Sequence, residues 1–208
     1  MVAKRIFDVV AAAVGLVLLS PVFLVAAVLV KLTSAGPVFF RQERMGRGFR
    51  PFRIYKFRSM VSDAPSRGGA VTAGEDPRIT RIGRFLRKTK IDEIPQLINV
   101  LAGDMSLVGP RPEVPKYVDM FREDYETILG VRPGITDLAS LAFRDEAALL
   151  GRADDPEEEY VTRILPEKIR LAKQYIARAS LRFDLKIIFM TMARLTADRF
   201  RRSGSTTE

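Results

Sequence analysis

The chain has 208 residues, 34 Lys and Arg against 25 Asp and Glu, a net charge of +9, and neither Cys nor His. Without Cys there is no disulfide, thiol nucleophile or thiolate metal site; without His the commonest general base and transition-metal ligand is gone. Chemistry is left to Asp, Glu, Lys, Ser, Thr or Tyr, any metal to hard ions such as Mg²⁺, and the basic excess points to nucleic acid, anionic lipid or phosphorylated small molecules.

Residues 9–30 carry no charged side chain. As one straight helix they would span about 33 Å, just enough for a bilayer core. A cleavable signal peptide fits poorly, because the run is too long and Pro21 interrupts it. A plain transmembrane helix is the simpler alternative. Two features oppose it. Pro21 removes a backbone donor and Ser20 can bond back to the preceding turn, which predicts a bend. Basic residues also flank both ends, Lys4 and Arg5 before and Lys31, Arg41 and Arg44 after. Positive flanks favour the cytoplasmic side, so both ends belong there. The expectation is a re-entrant helix broken at Ser20-Pro21, with Asp8 at interface depth and not required to be buried.

Residues 36–60 predict a β-hairpin. Val38, Phe39 and Phe40 begin one strand, and Phe52, Ile54, Tyr55 and Phe57 populate the other. Met45-Gly46-Arg47-Gly48 supplies the turn. Most of its arginines read as a solvated, charge-protected edge. Lys56 and Arg58, alternating with aromatics at the strand end, are the better candidates for reaching a phosphate. A Ser/Gly/Pro/Asp-rich loop covers 62–77. From Arg78 basic residues recur at 81, 84, 87 and 90 around Ile82, Phe85 and Leu86, a helix with a cationic side suited to anionic headgroups.

Asp92 to Leu101 predicts a second helix with Pro95 in its first turn. Asp92 and Glu93 at its start read either as helix capping or as chemistry. Carboxylates in a basic field can attack phosphorus or hold Mg²⁺, which would let a phosphate approach them. Gly103–Ser106 forms a turn, and Val108–Pro112 an extended segment in which Pro112 restricts Arg111 and aims its guanidinium. Val131–Thr136 is a further turn. Arg144-Asp145-Glu146 reads on its own as a local surface ion pair. Residues 154–160 are acidic and lead towards a helix. The chain is helical from Pro166, with an apolar stripe at Leu181, Leu185, Ile188, Met192 and Leu195. Core packing is the usual explanation of such a stripe; Arg182, Lys186 and Arg194 make a membrane-surface helix the alternative.

The fold class expected is α+β, mostly helical, with a re-entrant membrane helix, a small β-hairpin and amphipathic helices at the membrane surface. The expected organisation is a membrane helix over 1–35, a catalytic domain over 36–202 and a disordered tail over 203–208.

Several motifs together resemble the small monotopic phosphoglycosyl transferases, also called bacterial sugar transferases. They are Lys4-Arg5-Ile6-Phe7-Asp8, Ser20-Pro21, Tyr55-Lys56-Phe57-Arg58-Ser59-Met60, Asp76-Pro77-Arg78-Ile79-Thr80, Asp92-Glu93-Ile94-Pro95-Gln96-Leu97, Gly103-Asp104-Met105-Ser106, Gly109-Pro110-Arg111-Pro112, Arg132-Pro133-Gly134-Ile135-Thr136 and Leu185-Lys186-Ile187-Ile188-Phe189. The resemblance implies transfer of a sugar-1-phosphate from a UDP-sugar to a polyprenyl phosphate such as undecaprenyl phosphate, with release of UMP. It implies Asp92 as covalent nucleophile, Glu93 as its partner in Mg²⁺ binding or proton management, and Lys56, Arg111 and Arg144 as phosphate-holding positions. It implies an active site at the cytoplasmic face of a bacterial inner membrane, in the first membrane step of glycoconjugate assembly. One stretch departs from the family pattern. Many members follow Pro-Gly-Ile-Thr with Gly-Trp-Ala-Gln and an Asn-Gly-Arg, where this chain reads Asp137-Leu138-Ala139-Ser140 and Ala142-Phe143-Arg144. The rival reading is a non-enzymatic, membrane-anchored basic module for anionic lipid or nucleic acid; no nucleic-acid motif supports the latter.

Overall fold

A computed structural model describes residues 2–69, 71–143 and 145–203. Its first elements are helices α1 (Val2–Leu18) and α2 (Ser20–Thr33). Pro21 near the start of α2 cannot donate to the helical ladder, Ser20 Oγ donates instead to Val17 O (2.7 Å), and the two axes bend by 63°. Among the described residues no single helix is long and apolar enough to cross a membrane, whereas this bent pair meets that length and composition together. The break at Ser20-Pro21 therefore forms as the sequence predicts.

Both arms pack one face onto the rest of the chain. Ala12 of α1 is buried with Ile54, Val100 and Met105. Ala26 and Val30 of α2 are buried with Phe57 and Leu86, where the Phe23, Phe39 and Phe57 rings meet at centroid distances of 4.9–5.7 Å. The opposite face of α1 leaves Val2, Ile6, Val10, Val14 and Val17 exposed, at the spacing of one helical stripe. Asp8 corrects an expectation. It is buried, its carboxylate accepting from Ser106 Oγ (2.8 Å) and Leu107 N (3.2 Å). Those two donors replace water, so the carboxylate is buried and satisfied inside the protein.

Strands β1 (Phe39–Met45) and β2 (Pro51–Phe57) form the expected antiparallel hairpin, in register from Phe39 opposite Phe57 to Met45 opposite Pro51. Helix α3 (Arg81–Thr89) is capped by Thr80, whose Oγ1 accepts from Gly83 N (3.0 Å). Arg78 stays outside it, tied to Asp76. The helix expected from Asp92 is divided: a 3₁₀ turn spans Ile91–Glu93 and α4 spans Gln96–Ala102. α4 runs back along β2, fixed by Asn99, which accepts from Tyr55 N and donates to Arg53 O at 2.9 Å each.

A second, parallel strand pair joins β3 (Ser106–Val108) to β4 (Gly134–Thr136). Gly134 is obligatory there, because a Cβ would lie 2.1 Å from Gly109 N. Helices α5 (Pro115–Met120), α6 (Arg122–Ile128), α7 (Leu138–Ala142), α8 (Glu146–Leu150) and α9 (Pro156–Glu159) follow. Asp155 caps α9, a π-helical turn spans Tyr160–Ile164, and α10 (Leu165–Arg178) closes the largest core with Val118, Tyr125, Leu150 and Ile164.

Helix α11 (Leu181–Ser203) departs from the core-packing reading of its stripe. Leu181, Leu185 and Met192 are exposed, while Asp184 and Ile187 are buried. The phase is set by polar contacts: Lys4 Nζ donates to Asp184 Oδ2 (2.5 Å) and Tyr175 OH to Asp184 Oδ1 (2.7 Å). Ser203 is the last helical residue, and 204–208 of the expected tail lie outside the described residues.

Candidate active site

The site lies where the end of β2, the 3₁₀ turn and the segment after β3 meet. Lys90 begins the turn with φ +60°, a conformation that costs a non-glycine residue on the order of 1 kcal/mol. The turn then points Asp92 and Glu93 inward. Neither carboxylate caps a helix: the turn and α4 have no side-chain cap hydrogen bond. The side-chain capping part of the alternative is thereby removed, while both carboxylates still lie in the first turn, where they favour the helix dipole.

Glu93 is held by two cations. Its Oε1 accepts from Lys56 Nζ (2.9 Å) and from Arg111 Nη2 (2.6 Å), and Arg111 Nη1 lies 3.5 Å from Oε2. Burial works to raise its pKa, but Arg111 and Lys56 hold it well below the ordinary carboxylate value. Arg111 is raised in turn, chiefly by Glu93. Lys56 is lowered by burial, against the pull of Glu93.

Asp92 is the opposite case. It is buried, and among the described residues no cation pairs with it directly and Oδ1 has no hydrogen-bond partner. Burial, and then the Glu93 charge, push its pKa up. Adjacent carboxylates are thus driven apart, one fixed as an anion and one left with an unsatisfied oxygen.

Arg111 is positioned from behind. Gly134 N donates to Pro110 O (2.9 Å), seating the Gly109–Pro112 segment on β4. The Arg111 amide donates to Asp137 Oδ2 (3.3 Å), while Asp137 Oδ1 accepts from Ser140 N (2.7 Å) at the start of α7. Beyond it Arg44 donates to Pro112 O (3.1 Å) and Glu113 Oε1 (3.0 Å), and Tyr160 OH to Glu113 Oε2 (2.6 Å).

Of the residues singled out in the sequence, Asp92, Glu93, Lys56 and Arg111 come together. Arg144 lies outside the described residues. Arg58, expected among the phosphate ligands, bonds elsewhere through its Nη2. It is buried at the end of α2, its Nη2 donating to Ser34 O and Ser34 Oγ (2.7 Å each) and to Val30 O (3.4 Å). There it satisfies carbonyls that a helix end leaves open. Two residues were missed. Gln96 is buried, and its Nε2 has no hydrogen-bond partner among the described residues; its position four after Asp92 was the available signal. Asp137 lies in the stretch that departs from the family pattern, which marked the place but not the job.

No group of three or more Asp or Glu able to hold a metal occurs among the described residues. Two carboxylates completed by substrate phosphates are nevertheless a donor set that Mg²⁺ accepts, and the unpartnered Oδ1 of Asp92 fits one position of it.

The family model described as "Bacterial sugar transferase" matches residues 1–198. The chain is 44% identical over 194 residues to a UDP-N-acetylgalactosamine-undecaprenyl-phosphate N-acetylgalactosaminephosphotransferase of Aeromonas hydrophila, covering 91% of this chain and 42% of that protein. It is 39% identical over 193 residues to a UDP-glucose:undecaprenyl-phosphate glucose-1-phosphate transferase of Escherichia coli, covering 91% and 39%. Against the exopolysaccharide production protein PSS of Rhizobium leguminosarum it is 39% identical over 202 residues, covering 92% and 94%. The chain thus spans about two-fifths of the first two relatives and nearly all of the third.

Proposed function

The chain belongs to the bacterial sugar transferase family, and on that premise we propose that it moves a sugar-1-phosphate from a UDP-sugar to a polyprenyl phosphate in two displacements at Asp92. In the first, an Asp92 carboxylate oxygen forms a bond to the β-phosphorus, the bond from that phosphorus to the bridging oxygen breaks, and UMP leaves with the electron pair. In the second, a phosphate oxygen of the polyprenyl phosphate attacks the same phosphorus and the aspartate carboxylate is released. The product is a polyprenyl-diphospho-sugar. Covalent catalysis of this kind lets a water-soluble and a lipid substrate use one centre in turn.

The observation that carries the reading is the asymmetry of the pair. Glu93, compensated by Lys56 and Arg111, holds those cations beside Asp92, while the Asp92 carboxylate keeps a buried, unengaged oxygen. Lys56 and Arg111 supply donors for phosphate oxygens where charge develops. Gln96, four residues after Asp92, has a buried Nε2 with no hydrogen-bond partner among the described residues and is a further candidate donor. Asp92 and Glu93, with the substrate diphosphate, would hold Mg²⁺, which when bound neutralises diphosphate charge and favours UMP departure. The bent α1–α2 pair, entering and leaving from the cytoplasmic side of a bacterial inner membrane, would hold this centre at the level where a lipid phosphate arrives. The named relatives act with N-acetylgalactosamine or glucose donors, which supports a UDP-hexose or UDP-N-acetylhexosamine as donor. The reaction would serve the first membrane step of polysaccharide or other glycoconjugate assembly.

The test is UMP release from a panel of UDP-sugars with Mg²⁺, with and without polyprenyl phosphate. The reading expects about one UMP per protein without the acceptor and turnover with it. Release that requires the acceptor even in the first turnover would contradict the two-step scheme.

A further inference from the structure

A hollow of about 520 Å³ opens between the hairpin tip and the loop after α4, within the usual size of a ligand site. Arg47, Arg50 and Arg132 line it, with Phe52 and Asp104. Neither Arg47 nor Arg50 makes an ion pair among the described residues. Arg132 is oriented by one bond, from Nε to Gly103 O (2.8 Å), so its two terminal nitrogens stay available. The single carboxylate of the lining, Asp104, is already shared with Asn99 Nδ2 (3.3 Å). Three guanidinium groups around one hollow repel each other, and an anion with several acceptor oxygens relieves that repulsion.

The hollow is separate from the transferase centre. α4 runs antiparallel to β2, so the two sites lie at opposite ends of both elements. Phe52 lines the hollow and Lys56 the centre, four strand residues or about 13 Å apart. A phosphate bound here cannot be the one reacting at Asp92.

Its surroundings identify the source of the anion. Gly103, on the rim, faces Arg5 of α1, 3.6 Å from where a Cβ would stand. Arg5 ties α1 to the same loop through Leu101 O (3.3 Å) and Met105 O (3.4 Å). From there the exposed apolar row of α1 begins with Val2, Ile6 and Val10. A basic hollow at the foot of an apolar row is where a lipid places its phosphate when its chains lie along that row. We infer that this hollow binds the phosphate diester of an anionic membrane phospholipid, Arg47, Arg50 and Arg132 receiving its oxygens. The inference rests on the exposed row and the arginines, not on the transferase reaction.

The test uses the full chain in detergent with dihexanoyl phosphatidylglycerol, dihexanoyl phosphatidylcholine, inorganic phosphate and UMP as separate probes. Binding is read by titration and by hydrogen exchange over 46–52 and 101–104. Phosphatidylglycerol should bind about tenfold or more tighter than phosphatidylcholine, as expected for charge-assisted contacts, and should protect both segments. The preference should vanish in Arg47→Gln/Arg50→Gln and persist in Arg163→Gln/Arg170→Gln, which removes equal charge elsewhere. It should also persist in Asp92→Asn, where the transferase reading predicts no chemistry, so the two ideas fail separately. An unchanged preference in Arg47→Gln/Arg50→Gln would overturn the site. Protection by UMP or inorganic phosphate but not by phosphatidylglycerol would overturn the lipid assignment.

Discussion

Asp92 and Glu93 are chain neighbours with opposite electrostatic fates, and that difference can be titrated. Burial and Glu93 push the Asp92 pKa up from its ordinary 3.8, while Lys56 pulls it down. In the proposed mechanism Asp92 attacks as the carboxylate, so the rate of phosphosugar transfer onto the protein should rise with pH through an apparent pKa above the ordinary 3.8. Lys56→Met should move that limb to higher pH and lower the rate at neutral pH by roughly 10²-fold, the scale of losing one electrostatic donor. The same shift has a stability sign. An acid whose folded pKa is raised binds its proton more tightly folded than unfolded, so ionised Asp92 opposes folding above its unfolded pKa. Asp92→Asn should therefore unfold at a higher temperature than the parent at neutral pH, in calorimetry. Glu93 runs the other way: its stabilisation is present above its unfolded pKa and is lost as pH falls through the depressed folded value. Arg58, clamping the end of α2, should behave as a structural residue. Arg58→Ala should lose about 1–3 kcal/mol of stability, with KM for the UDP-sugar unchanged in the folded fraction.

At the scale of elements, sequence periodicity gave strands and helices more readily than their facing. The hairpin was legible because an aromatic start at Phe39 and Phe40 and a second apolar set at Phe52, Ile54, Tyr55 and Phe57 lie on either side of a glycine-containing turn, and β1 and β2 form there. Lys56 and Arg58 share strand parity, which suggested a shared task. β2 ends at Phe57, however, and Arg58 turns to α2, a partner 24 residues back that strand parity does not report. The α11 stripe had the right period and the wrong phase, because buried Asp184 decides which face turns inward. Asp8 was misplaced for a similar reason: its donors lie 98 and 99 residues away. The acidic pair was legible from composition, since a chain without His or Cys leaves little else for the work; Asp137 reaches Arg111 through a contact 26 residues away that spacing does not encode. The Ser20-Pro21 break is a local effect and was readable as such. Its consequence for topology is checked by cysteines placed at residues 3 and 34. Both should label from the same side of the membrane, and Pro21→Ala, which restores the missing donor, should shift a substantial share of molecules to opposite-side labelling.

Over the whole molecule, α1 and α11 are tied at their starts by Lys4 and Asp184, and each carries exposed apolar side chains. Phe189 of α11 is 74% exposed, unusual for a phenyl ring unless something covers it. On the proposed function these two helices would be the surfaces that meet the bilayer. Leu185→Asp/Phe189→Asp should then weaken vesicle flotation at least tenfold, since each buried side chain contributes about 2 kcal/mol, without lowering the unfolding temperature. Unchanged flotation would remove α11 from that surface. The fold thus sets a carboxylate with an oxygen unpartnered among the described residues close to a Lys–Glu–Arg cluster and a bent apolar helix pair, and the proposed transfer rests on that arrangement. The most direct measurement is intact-protein and peptide mass spectrometry after incubation with a UDP-sugar and Mg²⁺, without acceptor. A phosphosugar adduct on the peptide containing Asp92, discharged by polyprenyl phosphate and absent from Asp92→Asn, is the predicted result. An adduct on another residue, or full turnover by Asp92→Asn, would contradict it.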